Sequence, residues 1–282
     1  MPQERHRIKR CRDRNKGALQ VADQLHVKTS GEGDVDVVLL HGLFGSGNNL
    51  GQLARGLRDD CRVHSIDLPD HGRSAWLPSA SIQAYAHSVA SWLDERELSE
   101  CFVVGHSLGG KVAMQLAVNR PDLIAGLVVL DISPVAYTVR RHDHIFEALR
   151  TATASRPQTR AEARDELLKY LDEPQVADFL LTSAYTEDTG GIGWRFNLTQ
   201  LEADYPRMLS GIEVQDARSL PCQLPVLLVR GANSNYVAKT TKQDFAHVFA
   251  ALSVVTVKNA GHWLHQEQTE TVLAIIKKFI AP

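Results

Sequence analysis

Ser107 sits in Gly105-His106-Ser107-Leu108-Gly109, a Gly-x-Ser-x-Gly pentapeptide, and is the residue of this chain best placed for covalent chemistry. A serine hydroxyl is not ionised at neutral pH, so it attacks a carbonyl only when a neighbouring base takes its proton. The setting of the pentapeptide gives it weight. Cys101-Phe102-Val103-Val104 before it is long enough for one buried strand. Gly110 to Val118 after it reads as an amphipathic helix, closed by Asn119-Arg120-Pro121. A strand turning sharply into a helix holds the serine in a strained conformation with its hydroxyl exposed. Side chains two residues to either side would collide in so tight a turn, and glycines 105 and 109 stand there. The helix then points its N-terminus at the hydroxyl, and the Leu108 N–H is placed to meet a developing oxyanion. A glycine-rich strand-to-helix loop without chemistry is the competing reading.

The base is expected at the C-terminal edge of the same sheet, where ligands of open α/β sheets bind. Ala260-Gly261-His262-Trp263 follows the last β-branched run, so His262 is the candidate. The orienting acid has three strand ends to come from. The loop Arg230-Gly231-Ala232-Asn233-Ser234-Asn235-Tyr236 holds no carboxylate. Val129-Leu130-Asp131-Ile132 ends the strand that follows the serine's helix. Asp131 there is placed to bond the His262 Nδ1–H and leave Nε2 free for Ser107. A cap or loop role for Asp131 competes. A second oxyanion donor is expected in His41-Gly42-Leu43-Phe44-Gly45-Ser46-Gly47, from the Leu43 N–H or its neighbour Phe44. A phosphate loop is the rival there, but the Gly-Lys-Ser/Thr ending is missing. Asp67 to Ser74 reads as a structural Pro/Gly turn, and Lys111 as a structural ion-pair partner.

These residues need a scaffold, and the pattern supplies one. From Asp36 onward, short β-branched runs alternate with longer helical patterns, as in parallel strands with crossover helices. Strands are expected at Val35–Leu40, Arg62–Leu68, Ile124–Leu130, Val226–Val229 and Ser253–Val257. Gln24 to Thr29 is placed as an antiparallel edge partner. Helices are expected at Asn48–Leu57, at Ser81–Arg96 with Ser81 as its cap, and at Glu270–Ile280. Between Pro134 and Leu220 strand signals vanish. Helical segments Arg141–Thr151, Thr159–Leu171 and Gln175–Ala184 replace them, and Arg195–Met208 is mixed. The expectation is an α/β fold: a mostly parallel twisted sheet with flanking helices, residues 21–133 and 221–282, interrupted by a helical lid at 134–220.

Bulk properties exclude several classes. The chain has 282 residues and a net charge of −2, so it shows no overall basic field that would suggest nucleic acid as a partner. No apolar run approaches the roughly 20 residues needed to span a bilayer, so stable membrane insertion is not expected. Cys11, Cys61, Cys101 and Cys222 show neither metal-ligand nor disulfide spacing, and a reducing cytoplasm is the simplest compartment. Residues 1–20 carry Arg5, Arg7, Lys9, Arg10, Arg12, Arg14 and Lys16, with almost no apolar residue among these basic ones. They read as a solvated, disordered extension, with an organelle transit segment as the alternative; no apolar h-region follows, so a secretory signal is not expected.

His41-Gly42, the Asp67-to-Ser74 turn, Gly105 to Gly110 and Gly261-His262-Trp263, in that order, resemble the α/β-hydrolase superfamily from about Val27 to the C-terminus. Ser107 to Lys111, Leu130 to Val135, Trp194-Arg195-Phe196-Asn197 and Asn233-Ser234 resemble its YbfF-type esterases and abhydrolase-domain 11 proteins. In most of the superfamily the acid comes from the loop held here by residues 231–237, where Ser234 stands. In the YbfF-like branch it sits at the position of Asp131. The resemblance implies a serine hydrolase of carboxylic esters or acyl thioesters, small-molecule substrates, no metal and no organic cofactor. Phe44, Trp194, Phe196, Ser234, Tyr236 and Trp263 are the expected pocket lining. Hydrolysis of another bond, as in C–C hydrolases or haloperoxidase-like enzymes, competes, as does a ligand-binding protein that lost catalysis.

Overall fold

A computed structural model describes residues 25–188, 190–214, 222–237 and 241–281. The basic extension at 1–20 and the expected lid boundary at 220/221 lie outside these. The elements run β1 (Val27–Ser30), β2 (Val35–Leu40), α1 (Gly51–Leu57), β3 (Cys61–Ile66), α2 (Ile82–Glu95), β4 (Cys101–His106), α3 (Leu108–Asn119) and β5 (Ile124–Leu130). There follow α4 (Asp143–Ser155), α5 (Arg160–Leu167), α6 (Pro174–Leu181), β6 (Ala184–Thr186), β7 (Ile192–Trp194), α7 (Leu198–Ala203) and α8 (Tyr205–Met208). The chain closes with β8 (Cys222–Gly231), α9 (Thr241–Ala246), β9 (Phe249–Val257), α10 (Leu264–Glu267) and α11 (Thr269–Ile280).

Among the described residues one sheet has seven strands in the order β1-β3-β2-β4-β5-β8-β9. β1 pairs antiparallel with β3, and every other pair is parallel. The alternation along β2 explains why both faces are covered. Val37 and Leu39 join the core under α1 and α11, while Val38 and Leu40 join the one under α2 and α3. All four are fully buried, and each such side chain contributes roughly 1.5–3 kcal/mol over its exposed state. From β2 the chain first winds out to β3, then returns to β4 on the other side. A crevice opens where the winding reverses, between the C-terminal ends of β2 and β4. Register aligns those ends: Leu40 pairs with Gly105, His106 with Leu130, and Leu130 with Val229.

The expected elements appear with informative differences. β2 and β5 span the residues anticipated, and Ser81 caps α2 by accepting the Ala84 N–H at 3.1 Å. The helix expected from Asn48 starts as a single 3-10 turn, Gly47–Leu50. β3 stops at Ile66, where the Leu68 N–H leaves the ladder and donates to His41 Nε2 at 2.9 Å. β8 is longer than its apolar run. Pro225 and Gln223 interrupt the pattern, and the ladder accommodates the proline with a register shift between Cys222 and Pro225. Strand signals were expected to vanish between β5 and β8, yet β6 and β7 pair there antiparallel. Three residues are too few to show a period of two, and Gly190 and Gly191 between them take positive φ of 82° and 97°.

The inserted segment between β5 and β8 is tied at both ends to α3. The Ile212 N–H donates to the Pro134 carbonyl at 2.8 Å, and Gln115 brackets the backbone of Glu213. Among the described residues Lys111 has no ion-pair partner, although a structural ion pair was expected. Its ammonium donates to the carbonyls of Val135 at 2.5 Å and Ser210 at 2.6 Å, one from each end of the segment. Burial pushes its pKa down to about 7, and the two carbonyls and the Tyr137 ring face, 5.0 Å away, favour the charged form.

Candidate active site

Ser107 joins β4 to α3 with φ 52° and ψ −117°, a left-handed conformation costly for a residue with a Cβ. Neighbouring backbone leaves no room for side chains around it. A Cβ on Gly105 would lie 2.3 Å from the Gly109 carbonyl oxygen, and one on Gly109 would lie 2.2 Å from that of Leu40. Leu108 is the first residue of α3, so its N–H has no acceptor within the helix. The loop after β2 lies against the serine: a Cβ on Gly42 would be 3.4 Å from Ser107 Cβ. Leu43 and Phe44 follow, Phe44 with φ 64°.

One strand over, Asp131 directly follows β5, with φ 54°, and is fully buried. Its carboxylate accepts three hydrogen bonds. The Gly231 N–H donates to Oδ1 at 3.0 Å, the Ser234 hydroxyl donates to Oδ2, and His262 Nδ1 lies 2.8 Å from Oδ2. A buried carboxylate left without such partners would carry a large desolvation cost. His262 stands on the loop after β9, and its ring stacks on Tyr236 with centroids 3.7 Å apart and planes 14° apart. Beside it, His106 Nε2 donates to the His262 carbonyl at 2.9 Å. Burial, with repulsion from the neighbouring histidines, holds His106 well below the ordinary histidine pKa, and the same causes bring His265 down to about 3. Both are neutral at physiological pH, and His262 keeps 20% of its side chain exposed.

Ser107 opens on two cavities. The larger, about 330 Å³, is bounded by Gly42, Phe44, His262, Trp263, Val176 and Phe179. The smaller, about 40 Å³, is bounded by Leu108, Ile132, Tyr137, Tyr205, Met208 and Leu209. Leu43, Ser107, Arg141, His142 and Tyr236 face both. A hydroxyl, an imidazole paired to a carboxylate, and backbone N–H groups thus meet at one crevice. That is the equipment for acyl transfer.

The family model for alpha/beta hydrolases matches residues 37–275. The chain belongs to the alpha/beta hydrolase family. Esterase YbfF of Escherichia coli (strain K12) is 36% identical over 244 residues, 86% of this chain and 92% of that protein. The sn-1-specific diacylglycerol lipase ABHD11 of Mus musculus is 34% identical over 252 residues, 87% of this chain and 80% of that protein. The solved structure of a marine microorganism esterase superposes with a TM-score of 0.87 at 31% identity, covering 91% of this chain and 99% of that one.

In this alpha/beta hydrolase the expected site residues separate into two groups. Ser107, His262, Leu43, Leu108, Phe44, Tyr236 and Trp263 border the crevice, and Asp131 stands behind it against His262. Trp194 and Phe196 do not line either cavity. They stack on each other at 5.8 Å, Phe196 backs Phe44 at 5.2 Å, and the Trp194 indole N–H donates to Thr153. Ser234 faces Asp131 rather than a ligand space. Asp67 holds its turn together by accepting the N–H groups of Gly47 and Arg73, at 2.7 and 2.9 Å. Among the described residues no group of three His, Cys, Asp or Glu side chains could hold a metal ion. No helix among them is long and apolar enough to cross a membrane.

Sequence reasoning missed His142. It lies between the Tyr205 hydroxyl and the Tyr236 hydroxyl, the latter 3.3 Å from Nε2, and burial brings its pKa down to about 3. One of two histidines in the charged run Arg140-Arg141-His142-Asp143-His144, it carries no periodic or motif signal that would mark it.

Proposed function

We propose that this hydrolase cleaves carboxylic esters of small molecules, and acyl thioesters by the same chemistry, through an acyl-enzyme on Ser107. The observation that carries the reading is the 2.8 Å contact between His262 Nδ1 and Asp131, at a crevice that Ser107 also lines. With Nδ1–H donated to the carboxylate, Nε2 holds a lone pair. It takes the Ser107 proton as Oγ bonds to the acyl carbon. The carbonyl oxygen becomes an oxyanion, received by the N–H groups of Leu43 and Leu108. As the intermediate collapses, the bond to the alcohol or thiol breaks and His262 returns the proton to that leaving atom. Water then gives a proton to His262 and attacks the acyl carbon. Ser107 is restored and the acid departs.

Residues 134–220 act in this reading as a lid over the crevice, with Arg141, His142 and Phe179 as the part that meets substrate. A cytoplasmic setting accords with Cys61, Cys101 and Cys222, which are free and buried. The test is covalent and kinetic. A fluorophosphonate should label the wild type stoichiometrically and Ser107→Ala not at all. The variant should stay folded and lose roughly 10⁴-fold or more in ester turnover. A purified Ser107→Ala enzyme working near the wild-type rate refutes the proposal.

A further inference from the structure

The two cavities around Ser107 differ about eightfold in room, and His262 borders only the larger. We propose that the 40 Å³ cavity is the acyl pocket and the 330 Å³ cavity receives the alcohol, so that the preferred substrates are short-chain acyl esters of bulky apolar alcohols. The inference rests on Ser107 being the nucleophile.

Proton transfer decides which cavity takes which half of the substrate. His262 must hand its proton to the leaving oxygen, so that oxygen and the alcohol attached to it lie on the side His262 lines. The acyl carbon sits at Ser107, at the junction, and the remainder of the acyl chain has the other cavity to enter. Leu43, the expected oxyanion donor, borders both spaces, as a group at the junction must.

Size sets the chain length. A single water takes roughly 10–15 Å³ on this measure, so the small cavity holds about three heavy atoms beyond the carbonyl. That corresponds to acetyl through butyryl groups. The walls of this pocket are pinned. Lys111 is held by two carbonyls, the Tyr137 hydroxyl donates to the Tyr236 carbonyl at 2.8 Å, and Tyr205 is bonded to His142. Tyr205 and Met208, which line it, are buried at 1% and 5% exposure, so that wall is packed. The large cavity is different in character. Val176, Leu180, Phe179 and Trp263 face it, the last two as an aromatic pair 5.6 Å apart, which suits a flat apolar alcohol.

The experiment is a two-way profile of kcat/KM on the full chain. p-Nitrophenyl esters from acetate to dodecanoate vary the acyl group, and methyl, p-nitrophenyl and 1-naphthyl acetates vary the alcohol. The rate should peak at propionate or butyrate and fall by about 10-fold or more at octanoate, since a filled pocket discriminates strongly against added methylenes. The naphthyl ester should be accepted at least as well as the smaller ones. Met208→Ala removes three heavy atoms from the pocket's lining and should move the optimum about three carbons longer. Leu209→Ala serves the same purpose should the first variant fold poorly. Phe179→Ala should weaken selection for the naphthyl ester and leave the acyl optimum in place. An optimum at octanoate or beyond overturns the inference. So does an acyl profile that shifts in Phe179→Ala and not in either pocket variant. Fluorophosphonate labelling separates the failures. Loss of labelling in the wild type sinks the serine mechanism, whereas a labelled enzyme with a long-chain optimum sinks only the pocket assignment.

Discussion

Asp131→Asn tests the reasoning about the acid with almost no change of shape. In the wild type the carboxylate accepts from Gly231, Ser234 and His262 and has no proton of its own to give. An asparagine can keep the Gly231 N–H on its oxygen, which turns its amide NH₂ toward Ser234 and His262. The serine hydroxyl can rotate to accept. The imidazole cannot rotate, because Tyr236 is stacked on it and its partner lies at 2.8 Å. Nδ1 must then accept the amide proton, and the ring proton moves to Nε2. That is the wrong tautomer to receive the Ser107 proton, and the negative charge that steadies the imidazolium is gone. The equivalent exchange in serine proteases costs about 10⁴-fold in kcat, which is about 5.5 kcal/mol of barrier. A loss of roughly 10³–10⁴-fold is therefore expected in p-nitrophenyl butyrate turnover at neutral pH. KM should change little, since Asp131 borders neither cavity. The same preparation should show a near-normal thermal midpoint, because the amide replaces the carboxylate volume for volume. An Asp131→Asn enzyme within 10-fold of wild type would refute the assignment of Asp131 while leaving Ser107 and His262 to be explained by another acid.

Ser234→Ala removes one of three donors to Asp131 and leaves the His262 contact, so turnover should fall by about 10-fold or less, measured against Asp131→Asn in the same assay. Gly109→Ala places a Cβ 2.2 Å from the Leu40 carbonyl oxygen, which only a shift of the β2 end can relieve. It should cost about 1–3 kcal/mol in urea unfolding and reduce turnover as well, because the oxyanion loop begins at that strand end. Stability should also fall with acid. Burial lowers His71 and His265 to about 3, below the unfolded value near 6.5, so both are neutral when folded and take up protons only on unfolding. Their contribution is intact above pH 6.5 and is lost as pH falls from there toward 3. Between pH 7.5 and 5.5 the pair removes roughly 3 kcal/mol, and His106 acts in the same direction. A urea midpoint that stays flat over that range would show that these rings are not held neutral.

How much was legible in the chain follows from the range of the forces involved. β2 and β5 could be read directly because short, nearly continuous apolar runs leave a buried parallel strand as the simplest outcome. The serine turn was readable because Gly105 answers a clash with Gly109 and Gly110, four and five residues on, whereas the clash that Gly109 answers, with the Leu40 carbonyl, comes from the neighbouring strand. The placement of Asp131 was inferred from composition, since the rival loop holds no carboxylate. The structure adds why that loop can do without one: Ser234 delivers a hydroxyl to the same carboxylate across 103 residues. What could not be read is set by contacts of that length. His142 meets Tyr236 across 94 residues, and Lys111 meets Ser210 across 99, and neither pairing leaves a trace in local pattern. Trp194 and Phe196 show the same limit from the other side. They were expected to line the pocket because aromatic residues in an insertion near a site commonly do. The stack they form behind Phe44 instead holds a wall in place without touching the space it encloses. The reactive groups are therefore positioned by the ends of adjacent sheet strands, whereas the dimensions of the two cavities depend in large part on side chains of the inserted segment. In such an arrangement the inserted segment can change the substrate while the sheet retains the chemistry. Substitutions at Met208 and Phe179 should accordingly alter which ester is cleaved far more than how the bond is broken.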